Sequence, residues 1–308
     1  MKSEKSICRL SEKLKTKSEK FICRLSEKLK TKSEKFICLK SKSRRPMKRR
    51  YIRLGVTDST NNYAKQMSIG SVDANDATNT GAEPEADEMT IITAQYQDSG
   101  RGQGTNRWES EAGKNLLFSV ALYPKTVAAR QQYILSMAGA LAVKAALNDY
   151  TSHISLKWPN DVYWRDRKIS GTLIETSLSG QTIRRCIYGV GININQEVFV
   201  SDAPNPVSLR QIIGHDTPPD EVLEKVLHHF EHFYHLITEG HDNHVIEQYR
   251  EALYRKEGLW PYRDAQGPFM ARIKDVMPTG QLILTDAAGH DRTYAFKEVR
   301  FVINAQTT

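Results

Sequence analysis

The chain predicts an α+β fold: a mixed or antiparallel central sheet with helices packed on one side, followed by a small C-terminal β-barrel. Three observations predict it. Two stretches, about 129–150 and 220–239, carry apolar residues at helical spacing: Ile134, Met137, Ala138, Leu141 and Ala145, then Leu223, Val226, Leu227, Phe230, Phe233 and Ile237. Each such stripe needs a sheet or another helix to cover it. Shorter runs of β-branched and apolar residues supply strands around them. From Gly258 the texture changes to short alternating strands broken by Pro278-Thr-Gly280 and Ala288-Gly-His290, the pattern of a small meander or barrel. Alternating βα units are too few for a doubly wound parallel sheet, and no GxGxxG opens a helix.

At 308 residues the chain can bury a substantial core and hold two domains. The formal charge of +8 is unevenly placed. Residues 1–50 hold 19 Lys+Arg against 5 Asp+Glu, which leaves 25 against 31 for the rest. The basic character belongs to a tail and the body is mildly acidic, which disfavours a body that binds nucleic acid generally. No apolar run reaches about 18 residues and no signal-peptide core opens the chain, so neither a membrane span nor secretion is expected. Cys8, Cys23 and Cys38 lie in the tail, and the body holds only Cys186. A single body thiol in a strand-like context fits a reduced, cytoplasmic protein without a disulfide framework.

Residues 2–16 and 17–31 are nearly identical, and a third copy begins at Lys32. Each unit of 15 residues has too few apolar side chains to build a core, so residues 1–47 are expected to be a disordered or fraying basic extension. Its evenly spaced cysteines lack the paired geometry of a zinc site.

In the body, Tyr51 to Val56 predicts a strand. Asp58-Ser-Thr-Asn-Asn62 then opens a helix through Met67, with Asp58 or Ser59 as N-cap. Residues 70–88, with six acidic and no basic residues, predict a loop. Strands follow over Thr90 to Tyr96 and Leu116 to Tyr123, then the helix 129–150. Ile154 to Trp158 is a strand, Val162 to Trp164 and Lys168 to Leu178 form a hairpin, and Ile183 to Asn193 is a further strand. After the helix 220–239, a second covers His244 to Lys256. His228, His232 and His235 line one helix face, but nothing nearby completes a metal site, so a solvated polar stripe is expected. Beyond Gly258, strands are predicted over Met270 to Val276, Gln281 to Thr285, Arg292 to Phe296 and Val299 to Ile303. The division is thus 1–47, 48–257 and 258–308.

The chemistry concentrates in two segments. Gly100-Arg-Gly-Gln-Gly-Thr-Asn-Arg-Trp108 holds three glycines in five residues. Such a stretch bends sharply and leaves amides open to a ligand. Arg101, Arg107 and the flat Trp108 suit an anionic, aromatic ligand, although a plain surface loop would read the same way. The second segment is Lys157-Trp-Pro-Asn-Asp161 followed by Arg167-Lys-Ile-Ser-Gly171. Lys168 and Arg101 are the best cations for bringing two mutually repelling anions together.

With Ser59-Thr-Asn61, Gln97-Asp-Ser-Gly-Arg-Gly-Gln103, Trp108, the two segments just named and Gly189-Val-Gly-Ile-Asn193, the chain over about residues 50–305 resembles the biotin protein ligases. The resemblance implies the biotin/lipoate ligase fold, which is class II synthetase-like, with an SH3-like C-terminal barrel. It implies a ligase that makes biotinyl-5′-AMP from biotin and ATP with Mg²⁺, then acylates one lysine of a biotin carboxyl carrier domain of a carboxylase such as acetyl-CoA carboxylase. By resemblance Lys168 sits between the biotin carboxylate and the α-phosphate. Arg101, Gly102 and Gln103 wrap the adenylate. Trp108 stacks on adenine, and Asn193 bonds near the adenine or phosphate. Ser59, Thr60 and Asn61 contact the ureido ring, and Gln97 reaches biotin's polar atoms. Gly171 and Gly189 give room to the thioether ring and valeryl chain. Asp161 positions Mg²⁺ or pairs with Lys157, and both stay open.

Two departures stand out. Gln103 occupies a place where some members carry a second arginine, and Thr105 one where glycine is common. The repeats cannot build the winged-helix domain of bifunctional members, so no specific DNA binding is expected. A lipoate or octanoate ligase on the same fold is the alternative. A sheet edge leaves pairing with a second copy open.

Overall fold

The computed structural model describes residues 46–67, 85, 87–200 and 205–303. The basic repeats and most of the acidic loop lie outside the described residues. Met47–Thr308 forms one compact unit.

Its centre is a seven-stranded sheet of β1 (Lys48–Thr57), β2 (Glu88–Gln97), β3 (Leu116–Leu122), β4 (Ile154–Lys157), β5 (Asp161–Trp164), β6 (Arg167–Ser179) and β7 (Thr182–Ile192). The order is β1-β2-β3-β7-β6-β5-β4. Only β1 and β2 run parallel, and every other pair is antiparallel. The mixed sheet follows from the sequence: short turns join β4 to β7, and the long connection from β1 allows a parallel return.

One face carries α2 (Gln132–Asn148), α4 (Pro219–Thr238) and α5 (Asp242–Glu251). The α2 helix is buried nearly all round, because it lies between the sheet and α4. Met89, Ile91, Phe118, Val120, Tyr188 and Val190 meet it from the strands. Each such fully buried side chain contributes about 1.5–3 kcal/mol. Period-two alternation sends Ile92 and Ile187 to the opposite face, where they meet Ala64 of α1 (Thr60–Gln66). This short helix is the exception to helices on one side, and the candidate site lies at its start. Cys186 is buried in β7, and burial pushes its thiol up to about 12.

The strand ends fall within a few residues of the expected ones. Two elements escape the sequence reading: α3 (Leu209–Ile213), started by a capping box of Ser208 and Gln211 and closed by left-handed Gly214, and β8 (Trp260–Asp264). With β9 (Gly267–Val276), β10 (Leu282–Asp286), β11 (Asp291–Tyr294) and β12 (Arg300–Phe301), β8 builds a second, wholly antiparallel sheet. Tyr262, Ile273, Val276 and Leu284 from it join the main core. Trp158 ties the two sheets together, its indole N–H donating to the Gly280 carbonyl at 2.9 Å. Among the described residues no helix is long and apolar enough to cross a membrane, and no three His, Cys, Asp or Glu side chains converge, the α4 histidines included.

Candidate active site

The predicted segments meet around one cavity. It is lined by the start of α1, the end of β2, the glycine loop, the β4–β5 turn, the middle of β6 and β7, and Phe296 from the connection between β11 and β12. Ser59, Thr60, Asn61, Gln97, Arg101, Gly102, Gln103, Trp108, Asp161, Lys168, Gly171 and Gly189 all line it.

The floor is polar, buried and uncharged. Ser59 has extended backbone at the N-cap of α1 but makes no capping bond. The cap comes instead from Gln97, whose side-chain oxygen accepts the Thr60 amide at 2.7 Å and the Thr60 hydroxyl at 3.1 Å. Only the Gln97 NH₂ is left for a ligand. The Ser119 hydroxyl lies 2.7 Å from Thr60 Oγ1 and 2.6 Å from Asn61 Oδ1. The Asn61 amide donates to the Leu173 carbonyl at 3.2 Å and to Glu175 at 3.0 Å. Gly189 must be glycine here, since a Cβ would stand 2.1 Å from Asn61 Oδ1. Two residues along the same face, a Cβ on Gly191 would stand 2.3 Å from the Trp108 ring. Trp108 thus lies against a bare strand, with its indole nitrogen buried and without a partner among the described residues.

The upper wall is cationic. Arg101, Arg107, Lys157 and Lys168 line the cavity against the single carboxylate of Asp161. Lys168 reaches Asp161 at 2.6 Å and lies 5.7 Å from the centre of the Trp108 ring. Its backbone is pinned by Asn205 and Val207, through N–H to carbonyl bonds of 2.8 and 2.9 Å. Lys157 is 3.9 Å from the same carboxylate, so Asp161 pairs more closely with Lys168. Burial pulls the Lys157 ammonium below the usual lysine range, Asp161 opposes that, and nearby Lys168 adds to it. Arg101 pairs with Glu175 at 3.1 Å and donates to Asn62 at 2.8 Å. Burial pushes the Glu175 carboxyl up, but bonds from Lys65 and Asn61 and the Arg101 charge outweigh it and hold it below the ordinary value.

The glycine loop closes on itself as a small hairpin. Gly102 N–H donates to Asn106 at 2.8 Å and Trp108 N–H to Gly100 at 2.9 Å. The Gly102 amide, expected to be open, is therefore engaged. Asn193 is the one expected site residue that the structure keeps out of the cavity lining. It is buried, and its amide donates to the Val207 carbonyl at 3.2 Å, which anchors the segment behind Lys168. Asp161 does not by itself make a Mg²⁺ site. A hard dication takes several oxygen ligands, whereas both Asp161 oxygens face lysines. Arg107 and Lys157 enter the cavity from the two segments that the sequence marks, whereas Ser119, Glu175, Gly191 and Phe296 carry no individual expectation. Gly191 was findable, because it follows Gly189 by one strand period.

Residues 57–193 match the model of the biotin/lipoate A/B protein ligase family, a span that holds every lining segment except Phe296. These residues thus carry a biotin/lipoate A/B protein ligase domain. Among similar proteins, the biotin--[acetyl-CoA-carboxylase] ligase of Paracoccus denitrificans is 32% identical over 43% of this chain and 58% of its own length. The bifunctional ligase/repressor BirA of Bacillus subtilis is 29% identical over 48% of this chain and 47% of its own. The chain thus spans about half the length of these curated relatives. A solved biotin protein ligase from Aquifex aeolicus, in complex with biotin and ATP, superposes with a TM-score of 0.63 at 25% identity, covering 82% of this chain and 99% of that one.

Proposed function

We propose that this protein is an ATP-dependent biotin–protein ligase acting through biotinyl-5′-AMP on one lysine of a carboxylase carrier domain. The observation that carries the reading is the pairing, in one cavity, of an uncharged hydrogen-bonding floor with a wall where Arg101, Arg107, Lys157 and Lys168 outnumber the carboxylates they meet, Asp161 and Glu175. A neutral ureido ring suits the floor at Ser59, Thr60, Asn61 and the Gln97 NH₂. A carboxylate and a triphosphate repel each other and suit the wall. The biotin carboxylate oxygen attacks the α-phosphorus, the bond to the β-phosphate breaks, and pyrophosphate leaves. Lys168 and Arg101 stabilise the negative charge crowded at that phosphorus. Trp108 offers its face to adenine, and the glycine loop shelters the mixed anhydride from water. In the second step the acceptor lysine amine attacks the acyl carbon, loses a proton, and releases AMP. Mg²⁺ would enter with the nucleotide and offset its phosphate charge. In this reading residues 48–257 carry the chemistry and residues 258–308 close one side of the cavity.

The test is isotope exchange between ATP and pyrophosphate, measured with biotin and with lipoate in turn. Exchange that depends on biotin is expected. Exchange that depends on lipoate alone would replace this reading with lipoate ligation, and no exchange with either would remove both.

A further inference from the structure

The second sheet contributes more than a wall. Phe296 lines the cavity, and the next residue, Lys297, has φ +73°, a region that a lysine adopts only at a cost. The turn is fastened by the Glu298 carboxylate, which accepts the Ala295 amide at 2.6 Å. In this conformation the Lys297 side chain lies against the glycine loop: a Cβ built on Gly104 would stand 2.4 Å from Nζ. The side chain is exposed, and no ion-pair partner for it is found among the described residues.

Lys297 lies outside the cavity lining, and the cations that do line it are differently placed. Arg101 pairs with Glu175, and Lys157 and Lys168 share Asp161. Gln103, at the centre of the loop, brings no charge. A triphosphate with its α-phosphate at Lys168 must run its β- and γ-phosphates away from the buried floor, toward the loop. An unneutralised ammonium waiting there, on a backbone held in a costly conformation, has the chemistry of a phosphate contact.

We infer that Lys297 binds the β- and γ-phosphates of the nucleotide, and so the pyrophosphate that leaves, reaching from the second sheet to seal the glycine loop. The inference rests on the nucleotide reading of the cavity. It is tested on the full chain by calorimetry with inorganic tripolyphosphate, in parallel with the exchange assay. Lys297→Ala is expected to weaken tripolyphosphate binding and to raise KM for ATP and for pyrophosphate, each about tenfold, with KM for biotin unchanged. Lys297→Arg should keep most of the binding. Lys297→Gly relieves the left-handed strain, so it should melt no lower than wild type yet bind as poorly as the alanine variant, which separates lost contact from lost fold. Equal tripolyphosphate binding by wild type and Lys297→Ala would overturn the inference, as would a rise confined to the KM for biotin. Should wild type show no biotin-dependent exchange, the biotin reading fails on its own account. The calorimetric comparison still upholds or overturns the role of Lys297.

Discussion

The floor and the upper wall of the cavity are built on opposite plans. Ser59, Thr60, Asn61, Gln97 and Ser119 are all buried, and the last four knit into one hydrogen-bonded network. Arg101 and Lys168 keep 36% and 23% of their side chains exposed and are held by one ion pair each among the described residues. The difference separates two jobs. A network of buried polar groups recognises a neutral, directional ligand and is itself part of the folded core. Partly hydrated cations can follow charge as it develops in a reaction and contribute little to stability.

The largest expected effect breaks the wall alone. Lys168→Ala should slow adenylate formation by about 10²- to 10³-fold, while the melting temperature stays near wild type, because Asn205 and Val207 still hold the strand. A near wild-type burst of pyrophosphate from the variant would take Lys168 out of the chemistry. A floor substitution should behave in the reverse way. Gly189→Ala drives a methyl group into Asn61 and should cost about 1–3 kcal/mol of stability by overpacking, together with the affinity for biotin. Calorimetry that finds both unchanged would dissolve the distinction between floor and wall.

How much of this was legible in the sequence follows the same line. The glycine loop, the Lys157–Asp161 segment and the Lys168 hairpin announce themselves by local composition, and they do converge. Strands β2, β3 and β7 are visible because they are long and rich in β-branched or apolar residues. What was hidden depends on contacts distant in sequence. Phe296 and Lys297 reach the glycine loop from nearly two hundred residues away, and no local pattern encodes that approach. Trp260-Pro261 masked β8, because an exposed tryptophan beside a proline does not read as alternation. At five residues α3 is too short for a helical period, though its capping box and Gly214 were there to be read. Asn193 sits in a telling motif, yet its side chain serves the chain behind Lys168. Glu175 reads as one more residue inside the Lys168 to Leu178 strand, although it joins floor to wall through Asn61 and Arg101.

That junction gives the smallest predicted effect and sharpens the comparison most. The folded pKa of Glu175 lies below its ordinary value of 4.5. Its stabilising contribution is therefore fully present above pH 4.5 and is lost as the pH falls through the lower, folded value. Glu175→Gln lacks that contribution at every pH. The gap in melting temperature between wild type and variant should be widest near neutrality and shrink below pH 4.5. A gap that stays constant down to pH 3 would show that the carboxylate charge does not couple the two regions.

The most direct measurement is the mass of an isolated biotin carrier domain after incubation with the protein, biotin, ATP and Mg²⁺. A gain of one biotinyl group on a single lysine, abolished when Lys168→Ala replaces wild type, is the predicted result. An acceptor left unmodified by the wild-type protein, or modified equally by the variant, would contradict the account.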